Sequence, residues 1–154
     1  MSLRVAGLAV LTFASASACA IEGEVVSVHD GDTLTVLAAR KQIKVRLADI
    51  DAPELGQPFG KRSRQALAEL CFRKLAVVED RGPDRYGRTI GRVACAGTDA
   101  NAEQVRRGLA WVFVRYAASD SPLYALESDA RQARRGLWTD ALPVAPWAWR
   151  GHYR

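Results

Sequence analysis

The chain is short of nearly everything that thiol or transition-metal chemistry needs. It has two histidines, His29 and His152, and three cysteines, Cys19, Cys71 and Cys95, among 154 residues. The histidines are isolated and the cysteines lack the paired spacing of a zinc knuckle, which sets aside a Cys/His metal site and a catalytic thiol. No apolar run reaches the roughly 20 residues of a retained membrane span. There is no internal repeat and no linker long enough to separate domains, so one domain with a single core is expected. Lysine is scarce too: only Lys41, Lys44, Lys61 and Lys74 stand among 22 basic residues. The arginine that replaces it is the better bidentate phosphate ligand, although a GC-rich genome leaves the same bias. The formal charge of +5 favours an anionic partner without establishing one.

The first twenty residues read as an address and not as part of the fold. Met1-Ser2-Leu3-Arg4 is a short basic start, Val5 to Phe13 is apolar, and Ala14 to Ala20 is a small-residue stretch. This is the pattern of a secretory signal peptide, with cleavage expected after Ala20 and residues 21–154 as the mature domain. Lipidation at Cys19 is a minor alternative to simple export to the periplasm or medium. Export leaves Cys71 and Cys95 in an oxidising compartment, where a disulfide between them is expected. The other reading is two buried thiols.

Short alternating segments follow. Glu24–Val28 and Thr33–Ala38 flank the turn His29-Asp30-Gly31-Asp32, and Lys41–Ile50 puts Ile43, Val45 and Leu47 on one face. A helix is expected from Lys61 to about Phe72, a strand over Leu75–Glu79, a turn at Arg81–Asp84, and a returning strand over Arg88–Cys95. Asp99 or Asn101 can cap a short helix that Gly108 stops. Leu109–Tyr116 reads as a strand or a buried extended run. Ser121-Pro122 opens a longer helix that Gly136 ends. Five strands in a meander with a return, with helices between and after, fit a mainly β fold with some α: a small closed barrel of the OB kind.

Three segments carry candidate chemistry. Asp32 and Asp51 are hard-cation ligands, and two carboxylates alone leave coordination positions open for water and a phosphate oxygen. By itself Asp30-Gly31-Asp32 is turn chemistry more often than metal chemistry. The run Arg46 to Glu54 is more telling. It joins a phosphate-gripping cation, a metal ligand and a second carboxylate that could position or deprotonate a water, with Pro53 fixing the backbone between them. Arg88, after the turn Tyr86-Gly87, could share the charge of a phosphorane with Arg46. Arg85 reads as surface. The arginines Arg131, Arg134 and Arg135 read as a solvated helix face, and Trp138, Trp147 and Trp149 as packing anchors.

At these residues the chain resembles the staphylococcal nuclease (thermonuclease) family, from about Glu24 to Trp138. Asp30, Asn101, Gly108-Leu109-Ala110 and Trp138 also match. The resemblance implies a five-stranded OB barrel with about three helices and a Ca2+-dependent endonuclease acting on DNA and RNA. It places the metal ligands at Asp32, Asp51 and the Ala52 carbonyl, and the catalytic set at Arg46, Glu54 and Arg88. It implies 3'-phosphate products, single-stranded or flexible substrates and a monomer. Ala52 stands where the best-known member has threonine, and the loop after Glu54 is shorter. Of two nucleotide-pocket tyrosines only Tyr116 has a counterpart; the other position falls on Val114. The rival reading is a nucleic-acid-binding module without catalysis, although such degenerate copies usually lack one of the charged residues kept here.

Overall fold

The computed structural model describes residues 20–152. The signal peptide expected over 1–20 therefore lies outside them, apart from Ala20, which opens the first strand. Strands β1 (Ala20–Val28), β2 (Thr33–Ala38), β3 (Lys41–Leu47), β5 (Leu75–Pro83) and β6 (Thr89–Cys95) pair in the order β3-β2-β1-β5-β6. Three two-residue strands supplement them: β4 (Ile50–Asp51), β7 (Thr98–Asp99), which folds back on β6, and β8 (Trp111–Val112). A parallel pairing of β3 with β6 closes the circle, with Arg46 opposite Ile90, and the other barrel neighbours are antiparallel. The result is the five-stranded OB barrel. Alternation drives it: Val25, Leu34, Val36, Val45, Leu47, Val78 and Val93 point inward and are at most 1% exposed. A register shift between Val25 and Ser27 bends β1 so that it can pair with β2 on one side and β5 on the other.

Among the described residues four helices pack on the barrel, where about three were expected. They are α1 (Gly60–Cys71), α2 (Ala100–Arg106), α3 (Leu123–Gln132) and α4 (Pro146–His152), with a 3-10 turn at Gly136–Thr139. Helix α1 lays Ser63, Ala66, Leu67 and Leu70 against the core. Its last residue, Cys71, is bonded to Cys95 at the end of β6, with sulfurs 2.06 Å apart, and so ties helix to barrel. Asp99 caps α2 through the Ala102 amide at 3.0 Å. Asn101 is not a cap. It is buried, takes the Val93 amide at 3.0 Å and donates to the Ala48 carbonyl at 2.8 Å, which pins the turn after β3 to the barrel.

Several boundaries depart from the local pattern. Strand β3 stops at Leu47, because Asp49 takes a left-handed φ of 65° and turns the chain. Ile50 and Asp51 of β4 then pair with Val112 and Trp111 of β8; only these two residues of the expected Leu109–Tyr116 run are strand. Strand β5 runs through Arg81-Gly82 to Pro83, so the turn comes later, over Asp84–Arg88, where the Asp84 amide donates to the Arg88 carbonyl at 2.8 Å. Helix α3 ends at Gln132, with Arg134 left-handed at φ 50°, and Gly136 opens the 3-10 turn instead of closing the helix. Among the described residues, no helix is long and apolar enough to cross a membrane.

Candidate functional site

The turn that presents Asp32 is set from outside itself. Asp30 accepts the Asp32 amide at 3.0 Å, and the Gly31 carbonyl accepts from Gln104 Nε2 of α2 at 2.6 Å. The same Gln104 amide reaches the Ser63 carbonyl of α1 at 3.0 Å, while Ser63 Oγ donates to the Leu109 carbonyl at 2.6 Å. There is no space for a side chain at position 31: a Cβ there would lie 1.8 Å from Ser63 Oγ. Locked between two helices, the turn aims Asp32 inward, where it is 5% exposed.

Asp32 and Asp51 are brought side by side by one arginine. Asp32 Oδ2 accepts the Ala52 amide at 2.6 Å, and its Oδ1 takes the Thr33 hydroxyl at 3.0 Å and lies 3.2 Å from Arg46 Nε. Arg46 Nη2 donates to Asp51 Oδ1 at 3.0 Å, and its Nη1 donates to the Leu47 and Ile50 carbonyls at 2.7 and 2.8 Å. Arg46 is thus on the face opposite Val45 and Leu47, as expected, but that face is not solvent; its side chain is 14% exposed. The guanidinium spans both carboxylates and holds the β3–β4 turn.

Two buried acids this close resist ionisation. Burial pushes Asp32 up to about 6, against the opposing pull of Arg46 and with the Asp30 charge adding to the rise. Burial also raises Asp51, where the Arg150 hydrogen bond opposes the shift and the Asp32 charge reinforces it. Such a pair asks for positive charge. Among the described residues no three His, Cys, Asp or Glu side chains converge on one point. A hard cation at this place would therefore rest on two carboxylates with carbonyl and water oxygens, and that oxygen-only donor set fits calcium.

Glu54 follows Pro53 in a loop tied by Gln57, whose amide donates to the Glu54 carbonyl at 2.8 Å and whose Oε1 accepts the Glu54 amide at 3.2 Å. Gly60 packs on that carbonyl so closely that a Cβ would sit 1.8 Å from it. The Glu54 side chain is 41% exposed and meets Arg150 Nη1 at 2.6 Å. Arg150, near the end of α4, also reaches Asp51 Oδ2 through Nη2 at 2.6 Å and Asp51 Oδ1 through Nη1 at 3.3 Å. Burial lowers the Arg150 pKa, and the bonds to Asp51 and Glu54 more than reverse that, leaving it raised. No motif in the sequence points to Arg150; it arrives from 96 to 99 residues downstream on a seven-residue helix.

Asp32, Arg46, Asp51 and Glu54 therefore join one network through Arg150. Arg88 is not in it. Its Nε and Nη2 both lie 2.7 Å from Asp84 Oδ2. Partial burial would raise Asp84, but backbone and side-chain donation from Arg88 outweighs it and holds Asp84 below the usual carboxylate range. The parallel β3–β6 register still starts the strand after Arg88 beside the strand that carries Arg46. Tyr116 is 66% exposed, its ring edge-on to Phe113 at 5.0 Å, and Val114 is 65% exposed. Arg85 is exposed, as expected, and donates to the Tyr86 hydroxyl at 2.6 Å. Arg131 lies over the Trp138 ring at 4.1 Å, so it is part of a packed cluster and not only a solvated face.

The chain is thus a closed OB barrel in which one arginine bridges two buried aspartates, Asp32 from the β1–β2 turn and Asp51 from β4. Residues 44–140 match the family model described as "Staphylococcal nuclease homologue". The chain is 46% identical over 160 aligned residues to a protein named micrococcal nuclease from Shigella flexneri, covering 97% of this chain and 92% of that one. It is 46% identical over 131 residues to an uncharacterized endonuclease from Escherichia coli O157:H7, covering 84% of this chain and 85% of the other. A staphylococcal-like nuclease, CAN1, from Arabidopsis thaliana is 37% identical over 118 residues, which span 74% of this chain and 35% of that longer one. The chain belongs to the staphylococcal nuclease family.

Proposed function

We propose that this protein is an exported, monomeric endonuclease that hydrolyses phosphodiester bonds of DNA and RNA with Ca2+. The observation that carries the reading is the buried Asp32–Arg46–Asp51 assembly with Glu54 beside it. The nuclease and endonuclease names of the relatives support it. Asp32, Asp51 and the Ala52 carbonyl would hold the ion, which when bound supplies a Lewis acid for a phosphate oxygen. Glu54, on the exposed rim of the acid pair, orients a water or takes its proton as the water oxygen forms its bond to phosphorus. The bond from phosphorus to the 5'-oxygen breaks, leaving a 3'-phosphate and, after protonation, a 5'-hydroxyl. Arg46 and Arg88 donate to the phosphate oxygens as charge builds on them, which requires Arg88 to exchange Asp84 for substrate and Arg46 to use the Nη2 proton that Asp51 does not take or to release a carboxylate. Tyr116 offers an exposed ring for a base of a single-stranded or flexible substrate, with no second tyrosine at Val114.

Incubation of purified protein with denatured DNA and with RNA tests the reading. Cleavage abolished by EDTA, restored by Ca2+ and ending in 3'-phosphates is the expected result. Cleavage undiminished in EDTA would remove the ion from the mechanism. Binding without cleavage would make the chain the non-catalytic nucleic-acid-binding module instead. Fusion of residues 1–20 to a periplasmic reporter tests export.

A further inference from the structure

Helix α4 is seated on the site by aromatic and backbone contacts in addition to its ion pairs. Trp147 stacks on Phe113 at 5.3 Å with planes 8° apart and meets the edge of Trp111 at 5.8 Å. Just before the helix, the Val144 carbonyl accepts from Gln57 Nε2 at 2.6 Å, which fastens the segment to the loop that carries Glu54. Seated this way, α4 delivers one guanidinium, and that guanidinium takes both oxygens of Asp51 and one oxygen of Glu54. Those are the atoms that a divalent ion and a positioned water would need. Arg46 already satisfies the structural demand for a cation between Asp32 and Asp51. Arg150 is a second positive charge in the same few ångströms, with a side chain still 34% exposed and therefore able to leave without unmaking the core.

We propose that Arg150 is an autoinhibitory plug, which holds Asp51 and Glu54 until a divalent cation displaces it. This rests on Asp32 and Asp51 being the cation site, as proposed above. Arg46 already holds Asp51 Oδ1 and Arg150 fills Oδ2 at 2.6 Å, so an ion on Asp51 needs the oxygen that Arg150 occupies. Ion binding and Arg150 docking compete, and the apparent affinity for the ion is scaled down to the fraction of molecules left unplugged. The plug keeps the acid pair neutralised and the Glu54 carboxylate occupied where no cation is present. It also couples ion entry to the aromatic seat of α4, because Arg150 and Trp147 ride on the same short helix.

Equilibrium titration of Ca2+ into the purified protein by calorimetry, at a pH where the acids are ionised, tests this without reference to turnover. Arg150→Gln is expected to bind Ca2+ about tenfold more tightly than wild type, the gain for a site that is plugged in about nine molecules of ten. Arg134→Gln makes the same charge change at an exposed turn residue and is expected to shift affinity less than about twofold. In wild type, Ca2+ is expected to raise acrylamide quenching of tryptophan as the Trp147 seat loosens, and the Arg150→Gln protein should show that higher quenching before any ion is added. Equal Ca2+ affinity in wild type and Arg150→Gln would overturn the plug while leaving the calcium site standing. Weaker binding in the variant would also overturn it, and would make Arg150 a residue that positions the acids for the ion. No Ca2+ binding to either protein would remove the calcium site and the plug together.

Discussion

Asp32→Asn should make the metal-free protein gain stability relative to wild type as pH rises, while disarming it. Asp32 is buried, and its carboxyl is pushed up to about 6 from the 3.8 of an open chain. A raised carboxyl means that the fold keeps a proton the unfolded chain has already released. Stability is therefore full at low pH and falls as pH rises from about 4 through about 6. That gap corresponds to about 3 kcal/mol in total, of which about 2.5 falls between about pH 4 and about pH 8. Asparagine does not titrate and keeps an oxygen for the Ala52 amide, but it sets an NH2 group against Arg46 Nε, at a cost that does not change with pH. The unfolding free energy of the variant minus that of wild type should thus grow by about 2.5 kcal/mol from about pH 4 to about pH 8, whatever its starting value. Asp51 pushes the same way, since losing its charged neighbour eases its own ionisation. Urea unfolding in EDTA, followed through the tryptophans that pack at Trp111 and Trp138, measures it. A difference that stays flat or shrinks with pH would refute the picture of Asp32 as a strained buried acid. Adding Ca2+ should reverse the order, because only a protein that binds the ion gains from it.

Other variants separate the roles of neighbouring groups. Glu54→Gln and Arg88→Ala should each lower turnover on denatured DNA by about a hundredfold or more with melting temperature nearly unchanged, and near-wild-type turnover in either would count against the assigned chemistry. Gly60→Ala should lose both activity and stability, since its Cβ would strike the Glu54 carbonyl at 1.8 Å, whereas Gly56→Ala in the same loop meets nothing within 4 Å and should be silent in both assays. Replacing Cys71 and Cys95 together by alanine should lower the urea-unfolding free energy by about 3.5 kcal/mol from the chain entropy of the 24-residue separation, and a loss under about 1 kcal/mol would show that the bond does little for stability.

Much of the barrel was legible because its rules are local. A period of two along β2 and β3 assigns Leu34, Val36, Val45 and Leu47 to the interior in any fold that buries one strand face. Asp30-Gly31 marks its own turn, and once Cys19 is set aside with the expected signal peptide only Cys71 and Cys95 are left to pair. The unbroken run from Arg46 to Glu54 put a cation and two carboxylates within a few residues, so their proximity needed no tertiary knowledge. What the sequence could not decide was everything set by distant partners. The closing β3–β6 pair, the Gln104 and Ser63 clamp on Gly31, and the turn after β3 pinned by Asn101 each depend on residues more than 30 positions away in the chain. Arg150 is the extreme case, because its contacts with Asp51 and Glu54 span 99 and 96 residues. Side-chain periodicity reports which face of an element is buried and turn chemistry reports where the chain bends, but neither reports which remote charge packs into a site. That is decided only when the barrel closes, and here it brought in a guanidinium that no motif announced.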